Sequence, residues 1–243
     1  MSTPVLTISS RVPTEPYYFY KEFLASTRRH NIDPIFIPCH PYRGLMSKPK
    51  YLLKYLLENA SIRAHRKIIV CDSWDIIFLT GADEVVYNAE RFGNVIVFNA
   101  EKNCFPRADW APMFNDSPTP YKYLNSGFFI GDPERIIAML QDMKLEDIPD
   151  DTQDPATGKW TCHNDQEYYA KWYLEHNRAY HTALLDTTAI LCQSLHDAGP
   201  NEFAFIPETQ RVVSLLTKNQ PCVIHGNGTG KEWLKRIIKW INL

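Results

Sequence analysis

Short runs of consecutive apolar residues alternate along this chain with longer stretches in which apolar positions recur at helical spacing. Val5-Leu6-Thr7-Ile8 predicts a first strand, followed by Thr14 as a cap and an aromatic-rich helix over 15–29. Pro34-Ile35-Phe36-Ile37 predicts a second strand; beyond the turn-rich segment 38–44, a helix over 49–59 carries Leu52, Leu53, Leu56 and Leu57. Lys67-Ile68-Ile69-Val70-Cys71 and Asn94-Val95-Ile96-Val97-Phe98 are continuous apolar runs of the kind buried on both faces of a parallel sheet, and 123–131 predicts a glycine-containing strand with a helix after Pro133. This alternation predicts an α/β fold, a Rossmann-like and mostly parallel central sheet flanked by helices, with ligands gathering at the carboxyl ends of the strands.

Composition narrows the function classes. At 243 residues, 44% hydrophobic and 22% charged, with no linker-like tract or internal repeat, 1–243 reads as a single globular domain. With 26 Lys+Arg against 28 Asp+Glu the formal charge is −2, which gives no broad basic surface for nucleic acid. The clusters Arg28-Arg29-His30 and 63–67 fall at helix ends, where cations suit the macrodipole. The N-terminal segment lacks the basic and apolar regions of a secretory signal, and no apolar run approaches the ~20 residues of a membrane span, so a soluble, cytoplasmic protein is expected. Six cysteines without a C-x-x-C pair argue against zinc sites and redox dithiols, and reduced thiols are expected.

The chemistry concentrates after the third strand. Asp72 and Asp75 stand at its carboxyl end, where burying unpaired charge is costly, and a divalent cation would compensate it. The competing reading has Asp72 capping a turn and Asp75 solvated. Trp74 between them offers a face suited to stacking a base, or a core side chain. Cys222-Val223-Ile224-His225 delivers a histidine into the turn Gly226-Asn227-Gly228, where glycines allow close backbone approach to a phosphate. His225 with Asp72 and Asp75 would make a mixed N/O site, more natural for Mn²⁺ than for Mg²⁺. The segment 228–231 resembles the end of a P-loop but fails its pattern, with His225 in place of the first glycine and Glu232 in place of Ser or Thr; Lys231 can still meet a phosphate as a point charge.

Six segments in order, IIVCDSWDIIFLTG (68–81), VIVFNAEKNCFP (95–106), YLNSGFFIG (123–131), HNDQEYYAKWYL (163–174), LLDTTAILCQSL (184–195) and VIHGNGTGK (223–231), resemble the glycosyltransferase domain of the procollagen lysyl hydroxylases and collagen glucosyl- and galactosyltransferases. The resemblance runs from about Leu45 to Lys231. It implies a GT-A fold, a UDP-sugar donor and Mn²⁺, with a nucleotide-sugar-binding half over about 1–115 and an acceptor or catalytic half over about 116–243. It implies Asp72, Asp75 and His225 as metal ligands and Trp74 in place of a base-stacking Tyr. Lys48 is similar to a donor-binding lysine, with Lys50 competing, and Ser9 and Ser10 to nucleotide-contacting positions. Asn125-Ser126-Gly127 resembles a strand-edge turn beside the donor sugar, and Asn164-Asp165-Gln166 a shortened acidic segment. Asp165 is the principal candidate carboxylate there, or the N-cap of the helix through Leu174. Glu101 and Phe105 match residues bordering the pocket, and Asp186 and Gln193 match later positions. The segment 160–163 departs from the family's acid-rich pattern, and the sequence shows no hydroxylase segment, so a stand-alone microbial or viral member is expected.

The mechanism implied has the metal at the donor diphosphate, Lys231 and N–H groups of 226–230 on the departing nucleotide, and, if configuration inverts, Asp165 or Glu101 as base. Acceptors in play are a hydroxylysine-type protein hydroxyl, a glycan or lipid-linked sugar, and a hydroxymethylated base in viral DNA. The competing functions are a metal-dependent phosphoesterase or nuclease built on the same Asp/Asp/His residues, and a nucleotide-sugar-binding protein without turnover.

Overall fold

A computed structural model describes residues 2–9, 19–152, 154–157, 163–180 and 182–243, with 177–180 described in backbone alone. In chain order the elements are β1 (Val5–Ser9), α1 (Tyr20–Arg29), β2 (Ile35–Pro38), α2 (Ser47–Glu58), α3 (Ala60–Arg63), β3 (Ile68–Cys71), β4 (Ile76–Phe78), α4 (Ala82–Glu90), β5 (Ile96–Glu101), β6 (Tyr123–Gly131), α5 (Pro133–Asp142), α6 (Asp165–Tyr180), β7 (Ala183–Asp186), β8 (Cys192–Ser194), β9 (Phe203–Ile206), β10 (Arg211–Ser214), β11 (Val223–His225) and α7 (Lys231–Trp240). The expected cap Thr14, the start of the first helix, Ser10 and residues 160–162 lie outside the described residues.

Nine strands form one sheet in the order β2-β1-β3-β6-β5-β8-β11-β4, with β7 beside β5, while β9 and β10 make a separate hairpin. The continuous apolar runs of β3 and β5 are explained by burial on both faces. Ile68, Val70, Ile96 and Phe98 pack with α2, α5 and α6 on one side, and Ile69, Cys71 and Val97 with α1 and α4 on the other. α7 closes a third cluster, laying Leu234, Ile237 and Ile241 against Ile77, Ile224 and the β9–β10 hairpin. α5 starts where Asp132 accepts the N–H groups of Glu134 and Arg135, with Pro133 in the first turn.

Parallel pairings predominate, as the alternation predicts, but the sheet is mixed. β6 runs antiparallel to both β3 and β5, and β4 antiparallel to β11. β5 also extends past Phe98 to Glu101, carrying the polar Asn99 and Glu101 into the buried sheet, because the site described below supplies partners for the Glu101 carboxylate.

The order of strands fixes the sheet's shape. β3 and β4 are five pairings apart, about 24 Å in a flat sheet at ~4.8 Å per strand, yet only Asp72-Ser73-Trp74-Asp75 joins them. Five peptide steps reach at most ~18 Å. The sheet therefore curls, and the short acidic connection spans its opening.

Among the described residues, Cys39, Cys71, Cys104, Cys192 and Cys222 are free thiols. Arg28 and Arg29 occupy the last turn of α1, and the Arg29 guanidinium donates to the carbonyls of Ile241 and Asn242 beyond α7. No helix among the described residues is long and apolar enough to cross a membrane.

Candidate active site

The curl brings the two acidic residues to the histidine. β4 pairs with β11 so that Ile76 lies opposite His225, and the Gly226 N–H donates to the Asp75 carbonyl at 2.7 Å. The Asp72 N–H donates to the Gly127 carbonyl at 2.9 Å, extending the β3–β6 ladder. One ligand atom each from Asp72, Asp75 and His225 lie within 4.8 Å of one another, with His225 Nε2 3.4 Å from Asp75 Oδ1. Gly127 sits directly beneath. A Cβ there would fall 2.2 Å from His225 Cε1 and 3.0 Å from Asp72 Oδ2, so the space under the cluster requires glycine.

The histidine's orientation follows from its neighbours. The Asn125 Oδ1 accepts the Gly127 N–H at 3.0 Å, which identifies that atom as the oxygen; His225 Nδ1, 3.1 Å away, is then the donor. With Nδ1 carrying its proton to Asn125, Nε2 is the nitrogen available to a cation, the arrangement that fixes the tautomer of a metal-binding histidine. The donor set and its spacing fit a divalent ion, and the same atoms carry opposed charges that stabilise one another. Burial pushes Asp75 up, but the His225 charge and hydrogen bond, with Lys231 and Lys48, outweigh it and hold the carboxyl at about 2. Burial likewise works to lower His225, and Asp75, Asp72 and Glu101 together raise it.

Lys48, in the first turn of α2, donates to Asp72 Oδ1 at 2.7 Å and lies 3.9 Å from Asp165 Oδ2. Lys50 turns elsewhere, to the Ile148 carbonyl and Asp150. Asp165 is the first residue of α6. Asn164 rather than Asp165 caps that helix through the Gln166 N–H at 3.0 Å. Burial and the nearby Asp72 raise the Asp165 carboxyl, against the pull of Lys48.

Glu101 is the hub of a buried polar network. Its Oε1 accepts from Asn125 Nδ2 at 3.0 Å and Gln166 Nε2 at 2.7 Å, and its Oε2 from Asn227 Nδ2 at 3.0 Å. Gln166 also donates to the Phe105 carbonyl and accepts the Ser126 N–H, and Ser194 donates to Asn227 Oδ1 at 2.6 Å. Burial pushes the Glu101 carboxyl up despite these donors.

Two cavities meet at Lys48, Asp72 and Asp75. One, of about 280 Å³, is walled by Ile8, Tyr42, Leu45, Trp74 and Lys231; the other, of about 310 Å³, by Glu101, Phe105, Asn125, Ser126, Gly127, Asp165, Gln166, His196, His225, Asn227 and Gly228. Lys231 Nζ lies 3.6 Å from Asp75 Oδ2. Ser9 is buried at the end of β1, its carbonyl accepting the Cys39 N–H, and Ile8 stands on the cavity wall in its place.

In the glycine-rich turn the N–H groups of Gly226, Thr229 and Gly230 donate to the Asp75 carbonyl, His196 Nδ1 and the Asn227 carbonyl. Gly226 is small because a Cβ would lie 2.6 Å from Leu234 Cδ2, and Gly228, at φ +53, because a Cβ would meet His196 Nδ1 at 2.2 Å. The sequence reading also missed His196, Tyr42 and Leu45. His196 follows strand β8 by one residue beyond Leu195, a strand-end position that was the available signal; Tyr42 and Leu45 sit in a loop that carries no pattern.

A curled α/β sheet with a cation-spaced Asp-Asp-His group over paired cavities is the fold of solved glycosyltransferases of the GT-A type. The WbbM bifunctional glycosyltransferase matches with TM-score 0.50 at 11% identity, over 99% of this chain and 49% of that one. A glycosyltransferase involved in glycosylation of the major capsid of PBCV-1 matches with TM-score 0.50 at 10% identity, over 98% and 99%. Residues 47–242 match the PLOD GT domain, and the chain belongs to that family. It is 30% identical over 236 residues to the procollagen-lysine,2-oxoglutarate 5-dioxygenase of Drosophila melanogaster, covering 90% of this chain and 30% of the relative. Protein R699 of Acanthamoeba polyphaga mimivirus is 27% identical over 75% of this chain and 36% of its own length. The human multifunctional procollagen lysine hydroxylase and glycosyltransferase LH3 is 27% identical over 78% of this chain and 24% of its own. The chain spans about a quarter to a third of these relatives.

Proposed function

We propose that this domain transfers a hexose from a UDP-sugar to a hydroxyl acceptor with the help of a divalent cation, Mn²⁺ before Mg²⁺, held by Asp72, Asp75 and His225. The observation that carries the reading is the meeting, at the Asp72–Asp75 connection, of a cavity walled by Tyr42 and Trp74 and one bordered by Glu101 and its hydrogen-bond partners. A nucleotide in the first and a sugar in the second would put the diphosphate between them. Trp74 then offers a stacking face to the base, and Lys231 a positive charge to the phosphates. A bound divalent cation supplies Lewis-acid charge to a diphosphate leaving group.

The remaining roles fall to the chain's own residues. Lys48 neutralises charge where the cavities join. Asn125 holds the His225 ring, and Ser126 and Gly127 line the floor beside the sugar. Gln166 and Asn227 stand on the polar wall, both oriented by Glu101. With both oxygens already accepting N–H donors, Glu101 is a positioning residue, whereas Asp165, whose carboxyl is raised by burial, would take or orient an acceptor hydroxyl proton. Hydrolysis at paired metals needs a second ligand set, and among the described residues one group alone has ligand spacing.

The test is binding and slow hydrolysis across a panel of nucleotide-sugars with Mn²⁺, wild type against Asp75→Ala. Cation-dependent hydrolysis of one UDP-sugar, lost in the variant, supports the reading; folded wild-type protein silent across the whole panel rejects it.

A further inference from the structure

Lys48 and Asp165 face each other only because the entry turns of two helices distant in sequence are held together, and one buried carboxylate lies between those turns. Asp151 is 5% exposed. Its Oδ1 accepts the His163 N–H at 2.8 Å, two residues before α6 begins with Asp165. Its own N–H donates to the Arg43 carbonyl at 3.1 Å, four residues before α2 begins. On that side the fit is close. Gly44 adopts φ +93, and a Cβ there would fall 1.8 Å from Asp151 Oδ2, so the carboxylate rests on the bare Cα of the residue that leads into α2. The Gly44 carbonyl in turn accepts the Ser47 N–H, and the Ser47 hydroxyl accepts the Arg43 N–H at 2.8 Å, tying the contact to the first turn that carries Lys48. Beside it, Asp150 pairs with Arg43 and Lys50 in more exposed positions.

We propose that Asp151 is a positioning residue that sets the donor-side loop, with Tyr42, Leu45 and Lys48, against the Asp165-bearing turn, so that the two cavities are aligned by one side chain that touches neither. It rests on the transferase reading for its kinetic consequence but not for its structural one. A displacement of about 1 Å at either turn would misplace the reacting groups, which is enough to slow transfer up to about a hundredfold. Exposed pairs such as Arg43–Asp150 contribute little by comparison.

The 243-residue chain is compared in three variants, by UDP binding with Mn²⁺, by steady-state hydrolysis of UDP-glucose and UDP-galactose, and by amide hydrogen exchange. Asp151→Ala should weaken UDP binding and lower kcat together, each by about tenfold or more, and speed exchange in both 43–48 and 163–166. Asp151→Asn, which keeps an oxygen for the His163 N–H, should recover most of both losses, and Asp150→Ala should resemble wild type. If Asp151→Ala does not fold, Gly44→Ala, which presses on the same carboxylate, should show the same paired change. Exchange that loosens at one turn only, kinetics in which a single parameter moves, or an Asn variant as impaired as Ala would each overturn the proposal. A wild type that neither binds UDP nor hydrolyses either sugar rejects the transferase reading instead, and the exchange result still decides the role of Asp151.

Discussion

The side chains that carry charge at the site were legible because their chemistry is unusual where they stand. Two aspartates at the end of a buried strand and a histidine entering a glycine turn each call for a partner, and the structure supplies them to one another. Gly127 carries the opposite lesson, since its smallness matters only through the His225 ring and the Asp72 carboxylate lying over it. Gly127→Ala should cost about 1–3 kcal/mol of stability by overpacking and lower transfer at least about a hundredfold, checked by urea unfolding alongside kinetics. Near-normal kcat in the folded variant would reject that account. Glu101, expected at the pocket border and as a candidate base, stands at the centre of a network. Its carboxyl is raised in the fold by burial, so its contribution to stability is fully present below about pH 4 and is lost as pH rises through the folded value. Glu101→Gln removes that slope. The fall in unfolding free energy between about pH 4 and pH 7 should be smaller in the variant than in wild type, and an equal fall would show that Glu101 does not titrate in this way.

At the scale of elements, strands buried on both faces were the most readable, because nothing but a covered sheet accommodates runs such as 68–71. The short strands β4, β7 and β8 were not, since segments of three or four residues have no period of their own and exist as strands only through their neighbours. The turn from β7 to β8 shows how such pieces are held. The Asp186 carboxylate, fully buried, accepts the N–H groups of Ile190, Leu191 and Cys192 and the Thr188 hydroxyl. Asp186→Ala would leave those donors unpaired in the interior and should cost about 3 kcal/mol or more. Asp132→Ala, which removes an exposed cap from α5, should cost about 1 kcal/mol. Urea titrations of the two variants should separate them clearly; equal losses would mean that the β7–β8 turn is held by packing instead.

Across the whole molecule, ligand binding should report on the fold as a unit, because the site draws on β3, β5, β6, β11, α2 and α6 together. Saturating Mn²⁺ and UDP at about 100 times their Kd would stabilise the folded state by about 2.7 kcal/mol, which in a chain of this size raises Tm by roughly 5–10 °C. Chelation should reverse the shift, and Asp75→Ala should abolish it; a shift that survives in that variant would place the cation elsewhere. The sequence by itself determined the α/β class, the buried strands, the family and the three candidate ligands, because side-chain chemistry and apolar periodicity are local properties of the chain. What only the tertiary structure decided is which residues meet. The curl that lets four residues join β3 to β4, the antiparallel course of β6, the pairing of Lys48 with Asp72 and of Lys50 with Asp150, and the contact at Asp151 all depend on contacts between segments far apart in sequence. Such contacts are set by strand order and close packing of the assembled layers, and no local pattern encodes them.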